Sequence, residues 1–369
     1  MKNKNLTIYF ILSFIISLSL IIFFYRDLNS YYLAVSEYGD NENYLQLANN
    51  FLNWDFSIFV YHPFGISILI FMINFITTID PVILMVLLNI IFAYFSIIII
   101  AKIFSPLVSV FFIILGYEFT LVSLMGGSEI SAIFFILFSL FLYKYNLKKS
   151  SFITASFVYF IKPWAIALPI AIGIILLFKK EKKTFFEFFI ISILMFSIYL
   201  LISYIVYGPG LIFEGYKDND ALIKNQESFL EFPFVAMLKE IIGPNSIDGL
   251  PLPITNIIKN FFYIILTVLG YLIMLKRFKE YFNDDIYKVI FIFTSLQIFL
   301  IFTYNSPWVI HEFPRYSIMI LPFLIFSFKD YLPKNELLIF IFIVLSATFN
   351  GFSAVGYKNY INFLANIFF

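Results

Sequence analysis

The stretch from Ser36 to Asn50, SEYGDNENYLQLANN, sets Glu37, Asp40 and Glu42 close together in a chain that is only 13% charged. Carboxylates grouped at the edge of an apolar run have two kinds of work available. One is structural: Asp40 caps the helix that follows, and Glu42 complements its dipole from the first turn. The other is chemical: a carboxylate takes the proton of a hydroxyl as that oxygen attacks. Other reactive groups follow at His62, Glu129, Lys162, His311, Glu312 and Arg315. Both His residues of the chain are in this set, with one of its three Arg (Arg26, Arg277 and Arg315). Arg presents a rigid, permanently charged fork to phosphate, and Lys and His donate to it as well. Plainer roles exist for each. Arg315 and Lys162 serve as snorkelling interfacial anchors, the two His as loop residues bonded to carbonyls, and Glu312 as an i,i+3 partner of Arg315.

Composition restricts where such groups sit. The 369 residues are 62% hydrophobic, with 52 Phe and 25 Tyr, whereas soluble domains are nearer half apolar and about a quarter charged. The chain therefore reads as an all-α polytopic membrane protein, a single transmembrane domain over 1–369, with room for roughly 10–12 helices of ~20 residues or fewer. A net charge of +1 gives no sign of nucleic acid, and with no Cys there are no disulfides, thiolate metal sites or Cys nucleophiles.

Apolar segments recur at Leu6–Tyr25, Pro63–Ile79, Pro81–Ala101, Ser105–Met125, Ile130–Tyr145, Ser151–Ile161, Pro163–Phe178, Phe185–Tyr207, Ile254–Leu275, Ile286–Tyr304, Tyr316–Phe328 and Leu337–Phe349. Two stretches, 26–62 and 208–253, are polar enough to be loops. The basic clusters MKNKN, KYNLKK (144–149), KKEKK (179–183) and KRFK (276–279) place those ends in the cytoplasm, so Leu6–Tyr25 reads as an uncleaved first span and both long loops as external. Four apolar segments separate Asp40 from Tyr145, where an odd number of crossings is needed. Either one segment is re-entrant or interfacial, or two form one bent span; Pro63–Ile79, short and bounded by Pro63 and Pro81, is the first candidate for the segment that does not cross. The candidate residues then gather on one face, delivered by separate segments.

After Asn41 the apolar residues fall at Tyr44, Leu47, Ala48, Phe51 and Trp54, the stripe of an amphipathic helix. It is too short and polar to span, so it is expected to lie on the external surface with that stripe in the lipid boundary.

This layout resembles the GT-C class of glycosyltransferases, polytopic enzymes that take sugar from a polyprenyl-phosphate carrier outside the cytoplasm. The similar pieces, in order over most of the chain, are GDNENYLQLANNFL after the first span, YHPFGISILI, GGSEISAIFF, IKPWAIALP and HEFPRYSIMILP. The chain looks most like bacterial lipid-linked-sugar transferases related to protein mannosyltransferases and lipid A aminoarabinose transferases. It departs from them in its Asp-x-Glu acids, which are not adjacent, and it is expected to be a minimal member, its loop 208–253 short where many members carry a large extracytoplasmic domain. The resemblance implies an inner-membrane enzyme with an extracytoplasmic site, a polyprenyl-phosphate-sugar donor, and a lipid, glycan or protein acceptor. It implies Asp40 as base with Glu42 in reserve, and Arg315, Lys162 and His311 on the donor phosphate. Glu129 and His62 would position the acceptor. A divalent cation held by Asp40 and Glu129 stays open, because metal use varies across the class.

Other readings remain. A transporter or lipid flippase usually shows internal repeats and ionisable groups at mid-membrane, and neither is evident. O-antigen polymerases and ligases resemble one another in carrying Arg and His in external loops, and 208–253 has neither. A membrane acyltransferase would need a His context that His62 and His311 do not match.

Overall fold

The computed structural model describes residues 3–25, 28–37, 40–56, 62–208, 246–247, 250–251, 254–303 and 313–354. These are helical apart from turns and a two-residue antiparallel ladder pairing Ser246–Ile247 with Leu250–Pro251. The chain is an all-α, multi-pass membrane protein. Among the described residues, four helices are long and apolar enough to cross a bilayer: α1 (Asn3–Tyr25), α5 (Pro81–Ile103), α11 (Lys182–Tyr207) and α14 (Asp285–Thr303). A fifth arises if α6 (Pro106–Leu115) and α7 (Tyr117–Met125), bent by 74° at Gly116, make one span. The sequence reads Ser105–Met125 as one unbroken segment. Large apolar side chains such as Phe186, Leu194 and Leu201 stand exposed along α11, a surface suited to acyl chains and not to water.

Between these lie α2 (Leu28–Glu37), α3 (Asn41–Asn53), α4 (Gly65–Thr77), α8 (Glu129–Lys144), α9 (Lys148–Ile161) and α10 (Ala167–Phe178). The C-terminal half adds α12 (Ile254–Lys276), α13 (Phe278–Tyr281), α15 (Phe313–Ser317), α16 (Leu321–Ser327) and α17 (Glu336–Ala354). Serine hydroxyls clamp neighbouring passes: Ser17 donates to Ala347 O at 3.1 Å, and Ser139 and Ser151 each donate to the other's carbonyl at 2.9 Å.

The helices run between two ends. At the basic end, Lys144 Nζ donates to Lys102 O and Ile103 O at 3.1 and 2.9 Å, so the last turn of α5 meets the last turn of α8 and the ammonium offsets its dipole. Nearby, Glu181 accepts from Lys148 and Lys179 at 2.8 and 3.1 Å, and Lys179 also pairs with Asp285. At the other end, α2 and α3 follow α1, and Asn41 Nδ2 donates to Val35 O and Met125 O at 2.6 and 2.8 Å. This end joins the close of α7 to the start of α3.

Helix α4 meets the same end of the bundle at both of its own ends. Its start lies against the end of α9, where a Cβ on Gly65 would come 2.7 Å from Phe160 O. Beyond its far end, Asp80 accepts from Tyr32 of α2 at 3.0 Å. Both ends of α4 thus belong to the same end of the bundle, as expected from its length and flanking prolines, and Phe75 and Ile76 stay exposed on it. The surface helix α3 differs from expectation. Tyr44, Leu47, Ala48 and Phe51 are buried within the protein, leaving Trp54 outside at 72% exposure. The stripe docks on α4 and its neighbours because their exposed apolar sides offer it a closer-packed partner than lipid does.

Candidate functional site

The GGSE turn places the central acid. Gly126 and Gly127 adopt φ of +92° and +128°, open to glycine and strained for other residues, so the chain reverses tightly between α7 and α8. Asn89, a lone amide in apolar α5, donates to Gly127 O at 3.1 Å and holds the turn. Glu129 is then the first residue of α8, its charge at the positive end of the helix dipole. Lys162 owes its position to Pro163, which keeps the preceding residue out of the helical region: α9 stops at Ile161, and Lys162 is extended at φ −144°, ψ 105°. A 3-10 turn, Pro163–Ile166, leads from it into α10. Arg315 comes from the short α15, after Pro314.

These three meet. Lys162 Nζ and Arg315 Nη2 both donate to Glu129 Oε1, at 2.7 and 2.9 Å. All three are buried, with Glu129 only 1% exposed. A buried charge survives only when paired and hydrogen-bonded, and one carboxylate here orients two cations. Glu129 Oε2 is buried and accepts no hydrogen bond among the described residues. Lys162 also lies 3.4 Å from Ser128 Oγ and 5.4 Å from the Tyr316 ring, which packs edge-on to Trp164.

A pair adjoins this trio. Asp40 makes no side-chain cap bond to α3; its Oδ1 lies 3.6 Å from His62 Nε2. The capping role is therefore not the one Asp40 performs. Tyr207 donates to His62 O, and the His62 ring sits 5.6 Å from that of Tyr44. Tyr44 Oη in turn shares a 3.0 Å hydrogen bond with Ser128 Oγ, which links the pair to the trio. Burial pushes the His62 imidazole below its ordinary pKa, the Asp40 carboxylate pulls it back up, and Lys162 and Arg315 push it down again.

Of the sequence candidates, Asp40, His62, Glu129, Lys162 and Arg315 gather at one end of the bundle. Glu42 does not join them: it is exposed on the first turn of α3, because the two steps from residue 40 to residue 42 rotate the side chain by about 200°. His311 and Glu312 lie outside the described residues. A cation shared by Asp40 and Glu129 would meet a carboxylate whose Oε1 already serves two cations. Among the described residues no three His, Asp or Glu side chains group as metal ligands. The sequence reading overlooked Tyr44, counted only as apolar stripe, together with Ser128, Tyr207 and Asn89. An Asn inside an otherwise apolar helix was the available signal for Asn89.

Fold and site together define a class: an all-α membrane protein with a buried acid–base cluster at one end of its helices. No family model matches the chain, no curated protein matches it, and no solved structure matches it.

Proposed function

We propose that the chain is an integral-membrane glycosyltransferase of GT-C type, moving a sugar from a polyprenyl-phosphate carrier to a hydroxyl-bearing lipid, glycan or protein acceptor. The observation that carries this reading is the convergence of Lys162 and Arg315 on buried Glu129, beside the Asp40–His62 pair. The helices alternating between the two ends are read as eleven crossings: α1, α5, α6 with α7, α8, α9, α10, α11, α12, α14, α15 with α16, and α17. The basic end then faces the cytoplasm of a cell membrane and the site faces outward.

Transfer from a lipid phosphate needs two things close together. Cationic donors must hold the phosphate as it takes the bonding electrons of the breaking C–O bond, and a base must take the acceptor's proton. Glu129 holds Lys162 and Arg315 aimed before substrate arrives, which is electrostatic preorganisation. Asp40, 39% exposed at its side chain, is reachable by an acceptor from outside, and His62 orients it. Displacement by that hydroxyl inverts the anomeric carbon. Glu129 Oε2, which accepts no hydrogen bond among the described residues, would accept from a sugar or acceptor hydroxyl once substrate opens the cluster.

The test is turnover in lipid nanodiscs with a panel of polyprenyl-phosphate sugars and acceptor extracts, following free polyprenyl phosphate. Release from one donor that is lost in Asp40→Asn and Arg315→Met supports the reading. Absence of release from every donor, together with movement of an intact lipid-linked sugar between leaflets, would replace it with transport.

A further inference from the structure

The basic end holds a cavity that the proposed reaction does not use. Its volume is about 230 Å3, and it lies where four parts of the chain meet: the α5–α6 junction, α13, the start of α14 and the end of α16. Phe104, Tyr287 and Phe326 form its aromatic wall, with Phe104 and Tyr287 rings stacked on Phe326 at 4.5 and 5.2 Å. Its polar lining is Ser105, Arg277, Glu280, Tyr281 and Lys329.

Three of these groups have hydrogen-bonding capacity left over. Tyr281 is 2% exposed, and its buried phenol oxygen has no hydrogen-bond partner among the described residues. A buried hydroxyl left unsatisfied is costly, and a native structure keeps one where a ligand or water completes it. Lys329 makes no ion pair among the described residues, and its ammonium sits 4.9 Å over the Phe326 ring. Ser105 Oγ accepts from Val108 N at 3.3 Å, which uses its lone pair and not its proton. Arg277 is committed to Glu280, Asp330 and Ser327 O, so it supplies field while they hold it in place.

We propose that this cavity binds a phosphate-bearing anion the size of a phospholipid headgroup, with Lys329, Tyr281 and Ser105 as donors to the phosphate oxygens. The chemistry required is a compact anion with several acceptors, and the volume admits a glycerophosphate. Bound there, the anion ties α5, α13, α14 and α16 together at the end opposite the cluster. Basic pockets between membrane helices are known settings for anionic headgroups.

The experiment measures the thermal midpoint of the full chain in nanodiscs of phosphatidylcholine alone and of phosphatidylcholine mixed with phosphatidylglycerol. A parallel arm titrates glycerol 3-phosphate into the phosphatidylcholine sample. The wild type is expected to gain about 2–4 °C from one of the two sources. A rise with phosphatidylglycerol alone identifies a lipid occupant; a rise with glycerol 3-phosphate identifies a soluble one. Lys329→Gln and Tyr281→Phe should each weaken the response about tenfold in ligand concentration. Tyr281→Phe removes only an unsatisfied hydroxyl and should fold as the wild type does, so it decides the matter if Lys329→Gln does not. No rise from either source, or an equal rise in both variants, overturns the proposal.

Discussion

Glu129 holds two cations out of water at once, and its replacement exposes how much of the cluster is structural. Glu129→Gln should cost about 3–5 kcal/mol, because Lys162 and Arg315 lose the carboxylate that lets them stay buried. Lys162→Met should cost less, since the Glu129–Arg315 contact at 2.9 Å survives. Thermal unfolding of the three proteins in one detergent checks the order; a Glu129→Gln protein as stable as wild type would show that the cations find other partners. Asp40 is the converse case. It caps nothing, so Asp40→Asn should leave stability within about 0.5 kcal/mol while turnover is lost. His62 adds a pH signature. Its pKa lies below the ordinary 6.5, mainly through burial, so it stays neutral as pH falls to that value. Turnover that uses the Asp40–His62 pair should hold down to pH 6.5 and fall only below it. A decline already half complete at pH 6.5 would contradict the buried, neutral imidazole.

Two turns set the elements. A Cβ at Gly127 would sit 2.7 Å from Glu129 Oε2, at a φ of +128°. Gly127→Ala should therefore lose about 1–3 kcal/mol from backbone strain alone, and more if the carboxylate is pushed off its cations. At the basic end, hydrogen bonds from Lys148 and Lys179 hold the Glu181 carboxyl down at about 2. A folded pKa below the unfolded one means the contribution is complete above the ordinary carboxylate range and disappears as pH falls toward 2. Stability should drop over that window by about 1 kcal/mol for this partly exposed group, and Glu181→Gln should flatten the drop. Denaturation at pH 5 and pH 3, wild type against variant, reads the difference.

Across the whole molecule, the firmest consequence is which positions share an end. The absence of native Cys makes single-cysteine labelling clean. Asn53→Cys and Ile79→Cys should react with an impermeant thiol reagent from one side of a sealed vesicle, and Lys149→Cys and Lys180→Cys only from the other. Labelling of Ile79→Cys together with Lys149→Cys would mean that α4 crosses and the end-to-end pattern is wrong.

Composition alone determined the setting of this chain. No aqueous fold tolerates 62% hydrophobic residues with 52 Phe, so membrane helices follow from the cost of wetting them. Prolines and glycines marked real boundaries: Pro163 behind Lys162, the Gly126–Gly127 turn before Glu129, and the prolines flanking α4. Residue type also singled out Glu129, Lys162 and Arg315, because charges in so apolar a chain must find one another or water. Which face of α3 would be covered, and by what, was decided in three dimensions. Its stripe reads the same whether lipid or protein covers it, and only packing against α4 made that choice. The Asp40–His62 contact, the hydroxyl link through Tyr44 and Ser128, and the joining of residues 129, 162 and 315 all depend on where separate helices cross. Sequence periodicity describes each helix about its own axis, and it carries no information on how far one helix slides or turns against the next.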